Sequence, residues 1–278
     1  EALDKAFDYK KANVQTQIII YVSEGEYRLG TSIQLNPTLS DVKIIGAGVD
    51  KAVVKGSQQL SLDWKPYKNQ ILVAKVNDKV QFDQFFVDGK QQILARYPNY
   101  DEKGGHWRGH AADAIDPERV KTWKQPKGGI VHAMHSGEWG GFHYEVTKAN
   151  EDGTLELMAG HQNNRPSKMH HKYRMVENIF EELDSPGEWY LDAKKQLLYY
   201  WPDENTSIKK AKLEGVILKN LVTIMGDYKT PVKNIEISGI KFEHAQRTLM
   251  EVYEPLLRSD WTIYRGGAIF IENSENIS

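Results

Sequence analysis

Two phrases near the end of the chain echo each other. "VKNIEISGIKF" runs from Val232 to Phe242, and "GGAIFIENSENIS" closes the 278-residue sequence. Setting Asn234-Ile235 over Asn276-Ile277 gives a period of about 42 residues. Structural units that stack on their neighbours run roughly 20–45 residues, so this recurrence limits the fold more than any single motif does. In the first phrase Ile235, Ile237, Ile240 and Phe242 are expected to point inward on either side of a Ser-Gly turn. That spacing is the signature of short strands with one buried side. A bare coil needs only about 20 residues, so roughly 20 more must bulge out as a loop. The loop is "YEPLLRSDWTIYRGG", Tyr253 to Gly267.

The same texture marks the start of the chain. "EALDKAFDYKK" carries Leu3, Ala6 and Phe7 at helical spacing and predicts a short amphipathic helix. Short β-branched runs follow at Ile18–Val22 and Tyr27–Leu29, then in "TSIQLNP", "SDVKIIGAG" and "KAVVKGS". Gly or Asn turns separate them and no helices intervene, which favours stacked coils over a strand–helix–strand sheet. From about Ser57 the pattern changes to hairpins. "QFFVDGKQQILARYP" turns on Asp88-Gly89, "HYEVTKANEDGTLELMAG" on Asp152-Gly153, and "GEWYLDAKKQLLYYWP" sets Trp189–Leu191 against Leu197–Trp201. Between the first two, Asp116 as N-cap and Pro117 at the first helical position predict a short helix.

The expected fold is therefore all-β: a right-handed parallel β-helix, a solenoid, with an N-terminal capping helix and an inserted antiparallel β-rich domain. Residues 1–56 are read as cap and first coils, 57–212 as the insert, and 213–278 as continuing coils. A solenoid left without a cap exposes strand edges, so more of the protein is expected beyond Ser278.

Composition removes several classes of function. Lys+Arg 36 against Asp+Glu 38 is near neutrality, so no nucleic acid partner is expected. No apolar run reaches the ~18 residues that a membrane span requires. The absence of cysteine rules out disulfides, thiol nucleophiles and Cys-ligated zinc. "GAG" at Gly46–Gly48 is not followed by a helix or a Lys-Ser/Thr pair and reads as a turn, not a nucleotide loop.

"ALDKAF…IIIYVSEGEYRL…VKIIGAG" resembles the start of a pectate-lyase-like right-handed parallel β-helix. "FFVDGKQQILARYPN", "NNRPSKMHHKYRMVENIFEELDSPGEWYLDAKKQLLYYWP" and "YEPLLRSDWTIYRGGAIF" resemble the inserted domain and following coils of β-helix glycoside hydrolases. The nearest is glycoside hydrolase family 141, with the family 120 xylosidases more distant. The resemblance spans nearly the whole chain. It implies a secreted or periplasmic enzyme of polysaccharide breakdown, with catalytic carboxylates in coils beyond this chain.

Glycosidases need two carboxyls, ~5–5.5 Å apart for retention or ~6.5–9.5 Å for inversion, together with rings and polar groups for the sugar. On the loop, Glu254 and Asp260 are candidate carboxylates, and Arg258, Trp261 and Arg265 candidate substrate contacts. The competing reading pairs Arg258 with Asp260 and Glu254 with Arg265 as structural ion pairs. Glu272 alternates with Phe270 and Ile271 and is a third, outward-facing carboxylate candidate.

In "GGIVHAMHSGEWGGFHYEV", His135, Trp139 and His143 are candidate sugar contacts. The cluster also holds His132, Glu138 and Glu145, but no H-E-x-x-H pattern on a helix, so no metal is expected. "HQNNRPSKMHHKYRMVEN", with His161, Arg165, His170, His171 and Arg174, fits an acidic sugar or an ordinary Asn-rich turn.

The leading expectation is an extracytoplasmic glycoside hydrolase of plant or algal cell-wall polysaccharide that uses paired carboxylates and no cofactor. The alternatives are a calcium-dependent polysaccharide lyase and a non-catalytic glycan-binding β-helix. Calcium enters only with the lyase, and no cluster of Asp and Glu suited to it is evident.

Overall fold

The computed structural model describes residues 1–13, 16–76, 80–160, 167–251, 254–255 and 262–278. Contacts divide the chain into two compact units. The first comprises Glu1–Gln58, Gly215–Thr248 and Arg265–Ser278, the second Gln59–Glu214 and Leu249–Tyr264.

In the first unit the short strands predicted at both ends of the chain pair with one another in parallel. Ile18–Val22 lies on Val42–Gly46, which lies on Val232–Ser238, which lies on Ser274–Ile277. Gly25–Arg28, Ala52–Lys55 and Lys241–Glu243 form a second ladder. Ile33–Leu35, Val222–Met225 and Ile269–Glu272 form a third. Between them Leu35, Val42, Ile44, Val222, Ile224, Val232 and Ile235 are buried, and Leu3, Ala6 and Phe7 of the Ala2–Ala12 helix pack onto that core. Lys10 of this helix is 1% exposed and donates to the Thr16 carbonyl at 2.8 Å, which satisfies the buried ammonium.

The 42-residue echo has a direct structural counterpart. Ile235 pairs with Ile277, and Asn276 Nδ2 donates to Asn234 Oδ1 at 3.0 Å. Asn234 Nδ2 in turn donates to Asp41 Oδ1 at 2.8 Å. All three residues have positive φ, 63° at Asp41, 57° at Asn234 and 55° at Asn276. Asn and Asp tolerate this left-handed region better than other side-chain-bearing residues, which explains their recurrence at the turn.

At Gly46 the backbone passes so close to the Gly239 carbonyl that a Cβ would collide with it and with Ile240. Gly46→Ala is expected to destabilise the protein by about 1–3 kcal/mol, read as a shift in the urea midpoint. An unchanged midpoint would show that the two turns can separate freely.

The expected right-handed parallel β-helix does not run through the chain. Parallel pairing is concentrated in the three ladders above, of four, three and three strands, while most of the second unit's ladders are antiparallel and lie in separate sheets. The cause is the length of the connections. Parallel neighbours need a crossover of a dozen or more residues, whereas turns of a few residues fold a strand back on itself. Asp88 (φ 49°) and Gly89 (φ 77°) join Phe85–Val87 to Lys90–Gln91 in such a turn.

The second unit holds two five-stranded sheets. One runs in the order Ile93–Leu94, Glu188–Asp192, Leu197–Tyr200, Ile71–Lys75 and Lys65–Lys68. The other runs Arg96–Tyr97, Met169–Glu177, Ile130–His135, Gly141–Ala149 and Leu155–Ala159, antiparallel throughout. The predicted helix forms at Pro117–Val120, with the Asp116 side chain accepting from the Glu118 amide. Among the described residues, no helix is long and apolar enough to cross a membrane.

Candidate functional site

The antiparallel sheet of the second unit has one apolar side and one polar side. Val131, Val146 and Val176 pack with Val120, Trp123 and Ile179 to bury the first. Strand alternation then sends their sequence neighbours to the other side. His132 lies opposite both His143 and Met175, and Ile130 lies opposite both Glu145 and Glu177. His132, His143, Glu145 and Glu177 therefore share one side of the sheet, although Glu177 is 34 residues from His143 in the chain.

These groups form a chain of contacts. His132 Nδ1 lies 2.7 Å from His143 Nδ1. His132 Nε2 lies 3.1 Å from Glu177 Oε1, within ion-pair reach though off the line of a good hydrogen bond. A Nδ1–Nδ1 contact requires one proton and one lone pair, so one of the two imidazoles donates and the other accepts.

Burial and charge hold this arrangement in place. His132 and Glu177 are buried, as is Arg96, which sits opposite Glu177 on the neighbouring strand. Burial lowers the Arg96 pKa, opposed by the charges of Glu177 and Glu188. Glu188 is 1% exposed, and its burial pushes its pKa up to about 8, so it is mostly protonated at neutral pH. The Glu177 charge on the neighbouring strand favours the charged guanidinium.

Arg96 also fixes the loop over this side of the sheet. It donates from Nε to the Pro98 carbonyl at 2.8 Å, from Nη1 to Trp107 at 2.7 Å and from Nη2 to Gly109 at 2.9 Å. The loop places Trp107 6.0 Å from His132 between ring centroids, and His106 and His110 4.9 and 4.7 Å from Tyr173. His170 stacks on Tyr173 at 4.4 Å, and its Nε2 lies 3.3 Å from Glu138 Oε1 in the hairpin turn. In the same turn Trp139, 68% exposed, stacks on His135 at 5.0 Å with 12° between the planes. One side of the sheet thus joins paired imidazoles to a carboxylate behind them, and the hairpin turn carries the open Trp139 indole, which can stack a ring.

Of the residues singled out in the sequence, His143 pairs with His132, His135 and Trp139 stack on each other on the Phe142 side of the turn, and Glu138, His170 and His171 form a further cluster. Glu254, opposite Ile263, and Arg265 are exposed. Glu272 is exposed at the end of its strand, opposite Met225. Arg258, Asp260 and Trp261, with His161 and Arg165, lie outside the described residues. Among the described residues no three His, Asp or Glu side chains are grouped as a metal ion requires. Arg96, Trp107 and Glu177 went unrecognised in the sequence. The only available signal was the alternation of "YRMVEN", which puts Met175 and Glu177 on one side of a strand without naming its partner.

The chain is similar in fold to a solved structure titled "Glycoside hydrolase", with a TM-score of 0.68 and 19% identity over 89% of this chain. It spans 47% of that structure's length, so the match is to about half of it. A second solved structure, "The complex structure of XylC with xylose", matches with a TM-score of 0.37 and 12% identity over 87% of this chain and 34% of its own, too low to support an inference. No family model and no curated protein sequence matches the chain. The fold is glycoside hydrolase-like.

Proposed function

We propose that this chain is part of a glycoside hydrolase acting on a cell-wall polysaccharide, and that the Trp139–His135 pair of its hairpin turn binds the sugar. The observation that carries the reading is Trp139, an exposed indole held flat against His135 in the hairpin turn. Sugar rings present an apolar C–H face and a rim of hydroxyls, and an open aromatic ring next to hydrogen-bond acceptors complements both. The glycoside hydrolase-like fold points the same way. A polymeric wall substrate implies an extracytoplasmic setting.

Hydrolysis itself needs two carboxyl groups at the separations given above. In this reading they lie outside this pair, whose side chains bind and orient. Incubated with cell-wall polysaccharides, the protein is expected to release reducing ends without the ultraviolet absorbance of an unsaturated product, and EDTA should not matter. Absorbance that requires calcium would replace the reading with a lyase. Binding without any cleavage would replace it with a glycan-binding protein. Trp139→Ala is expected to weaken polysaccharide binding roughly tenfold, about 1.4 kcal/mol, at unchanged Tm. Unchanged binding would remove this pair from the proposal.

A further inference from the structure

Opposite Ala133 and His135, the strand Met169–Glu177 carries extra chain. Ala133 pairs with Arg174 and His135 with Met169, so His170 to Tyr173 stand opposite the single residue Met134. Bulges re-aim side chains and recur beside functional sites. This one is held from within. His170 Nδ1 accepts from the Lys172 and Tyr173 amides, both at 3.1 Å, and its ring stacks on His171 at 4.6 Å and on Tyr173 at 4.4 Å. Arg174 closes the base, where Nε donates to the His170 carbonyl at 2.7 Å.

That bond orients the guanidinium and uses one of its three nitrogens. Arg174 is half-buried, yet Nη1 and Nη2 are not shut off from solvent, and among the described residues no carboxylate meets them. Burial lowers the Arg174 pKa, with no opposing charge among the described residues. Arg28 and Arg119, by contrast, meet Glu26 at 2.9 Å and Glu182 at 3.0 Å. Lys168 and Lys172 are exposed on the same stretch and add positive charge, while Glu138 of the hairpin turn faces His170. A partly desolvated cation without a counter-ion is costly, and an anionic group on a ligand would offset that cost.

The position suits the sugar site. Arg174 lies opposite Ala133 and Ala133 opposite Phe142, so the three share one side of the sheet. The Phe142 ring is 5.8 Å from that of His135, on which Trp139 stacks. Two strand spacings, about 10 Å, separate Phe142 from Arg174. A glycan stacked on Trp139 needs only a few rings to bring a substituent to the guanidinium.

We propose that Arg174 determines specificity by binding the carboxylate of a uronate in the glycan, with Nη1 and Nη2 set against its two oxygens. The substrate class is then an acidic polysaccharide. A neutral sugar offers only hydroxyls, which water replaces at no loss, whereas a carboxylate supplies both the missing charge and two acceptors in the plane of the fork. The inference rests on the reading of Trp139 as a sugar platform.

Calorimetric titration compares acidic glycans with their own neutral forms. The probes are tetragalacturonate and a glucuronate-bearing xylotetraose, each beside its carboxyl-reduced form, with a sulfated galactan tetrasaccharide as a second anion. At least one uronate should bind tenfold or more tighter than its reduced form. Arg174→Gln should abolish that difference and leave the reduced form's affinity unchanged, Arg174→Lys should keep part of it, and Trp139→Ala should weaken both forms alike. Circular dichroism of each variant confirms folding.

Equal binding of the acidic and reduced forms by the wild type would overturn the proposal and leave the proposed function standing. So would a preference that survives in Arg174→Gln, equal loss of both forms in that variant, or stronger binding of the sulfated probe. If the wild type binds none of the glycans, acidic or neutral, both readings fall.

Discussion

Replacing Arg96 with alanine is expected to cost about 3–5 kcal/mol and to release the loop from Pro98 to Gly109. The guanidinium is 5% exposed, and each of its three nitrogens donates to a loop carbonyl. Alanine would leave those three carbonyls without their donor and remove a positive charge that interacts with buried Glu177, losses that together reach this scale. The loop depends on such an anchor, because Gly105, Trp107, Arg108 and Gly109 all have positive φ (72°, 52°, 57° and 137°). Trp107 and Arg108 adopt this conformation only where surrounding contacts hold them there.

Urea unfolding should show the loss of stability, and hydrogen exchange should show lost protection in residues 98–110. Arg96→Lys should recover only a small part, since an ammonium cannot reproduce the planar fork. A loss under about 1 kcal/mol would mean that the loop is held by its own internal hydrogen bonds.

The second large effect is a pH dependence that Glu188→Gln should abolish. Glu188 Oε2 accepts from the Asp184 and Ser185 amides at 3.0 and 3.1 Å, while Oε1 has no partner among the described residues. Its pKa rises from 4.5 to about 8, because burial penalises the charged form more than those amides and Arg96 favour it. The sign follows from which state holds the proton. Below pH 4.5 the carboxyl is protonated in the folded and unfolded chains alike and costs nothing. Between 4.5 and about 8 the unfolded chain releases the proton while the folded chain retains it, so stability falls as pH rises. The full loss is on the order of 4 kcal/mol and is reached near pH 8.

Glutamine does not ionise, and its amide oxygen can still accept from Asp184 and Ser185. The difference in unfolding free energy between variant and wild type should therefore be small at pH 4.5 and grow in favour of the variant towards pH 8. Parallel stability curves would show that Glu188 is ionised at neutral pH in the folded protein.

Local order was readable in proportion to how local its cause is. The Asp88-Gly89 turn, the Asp116–Pro117 helix start and the Glu188–Asp192/Leu197–Tyr200 hairpin follow from residues within one turn of each other. Even the 42-residue echo gave a correct pairing, because Asn234 and Asn276 meet the same backbone demand. The continuous solenoid failed because parallel strands in two parts of a chain do not show what the residues between them do. There, short turns favour antiparallel pairing.

The site divides along the same line. His135, Trp139 and His143 stand in one short stretch rich in rings, and composition alone brought them to notice. Glu177 and Arg96 could not be found that way. Each becomes part of the site only when strand register places it across from Ile130 or beside the loop it anchors. The ring cluster at Tyr67 is the clearest case, since "GEWYLDAKKQLLYYWP" reads as ordinary cross-strand packing. Only the tertiary structure brings Tyr67 and Phe180 against the rings of that hairpin.

By itself, the sequence determined which residues turn, which start helices and which sides of strands are apolar, because those depend on backbone sterics and hydrophobic period over a few positions. The tertiary structure alone decided which strands meet, and with them the contacts, burial and protonation states on which binding and chemistry depend.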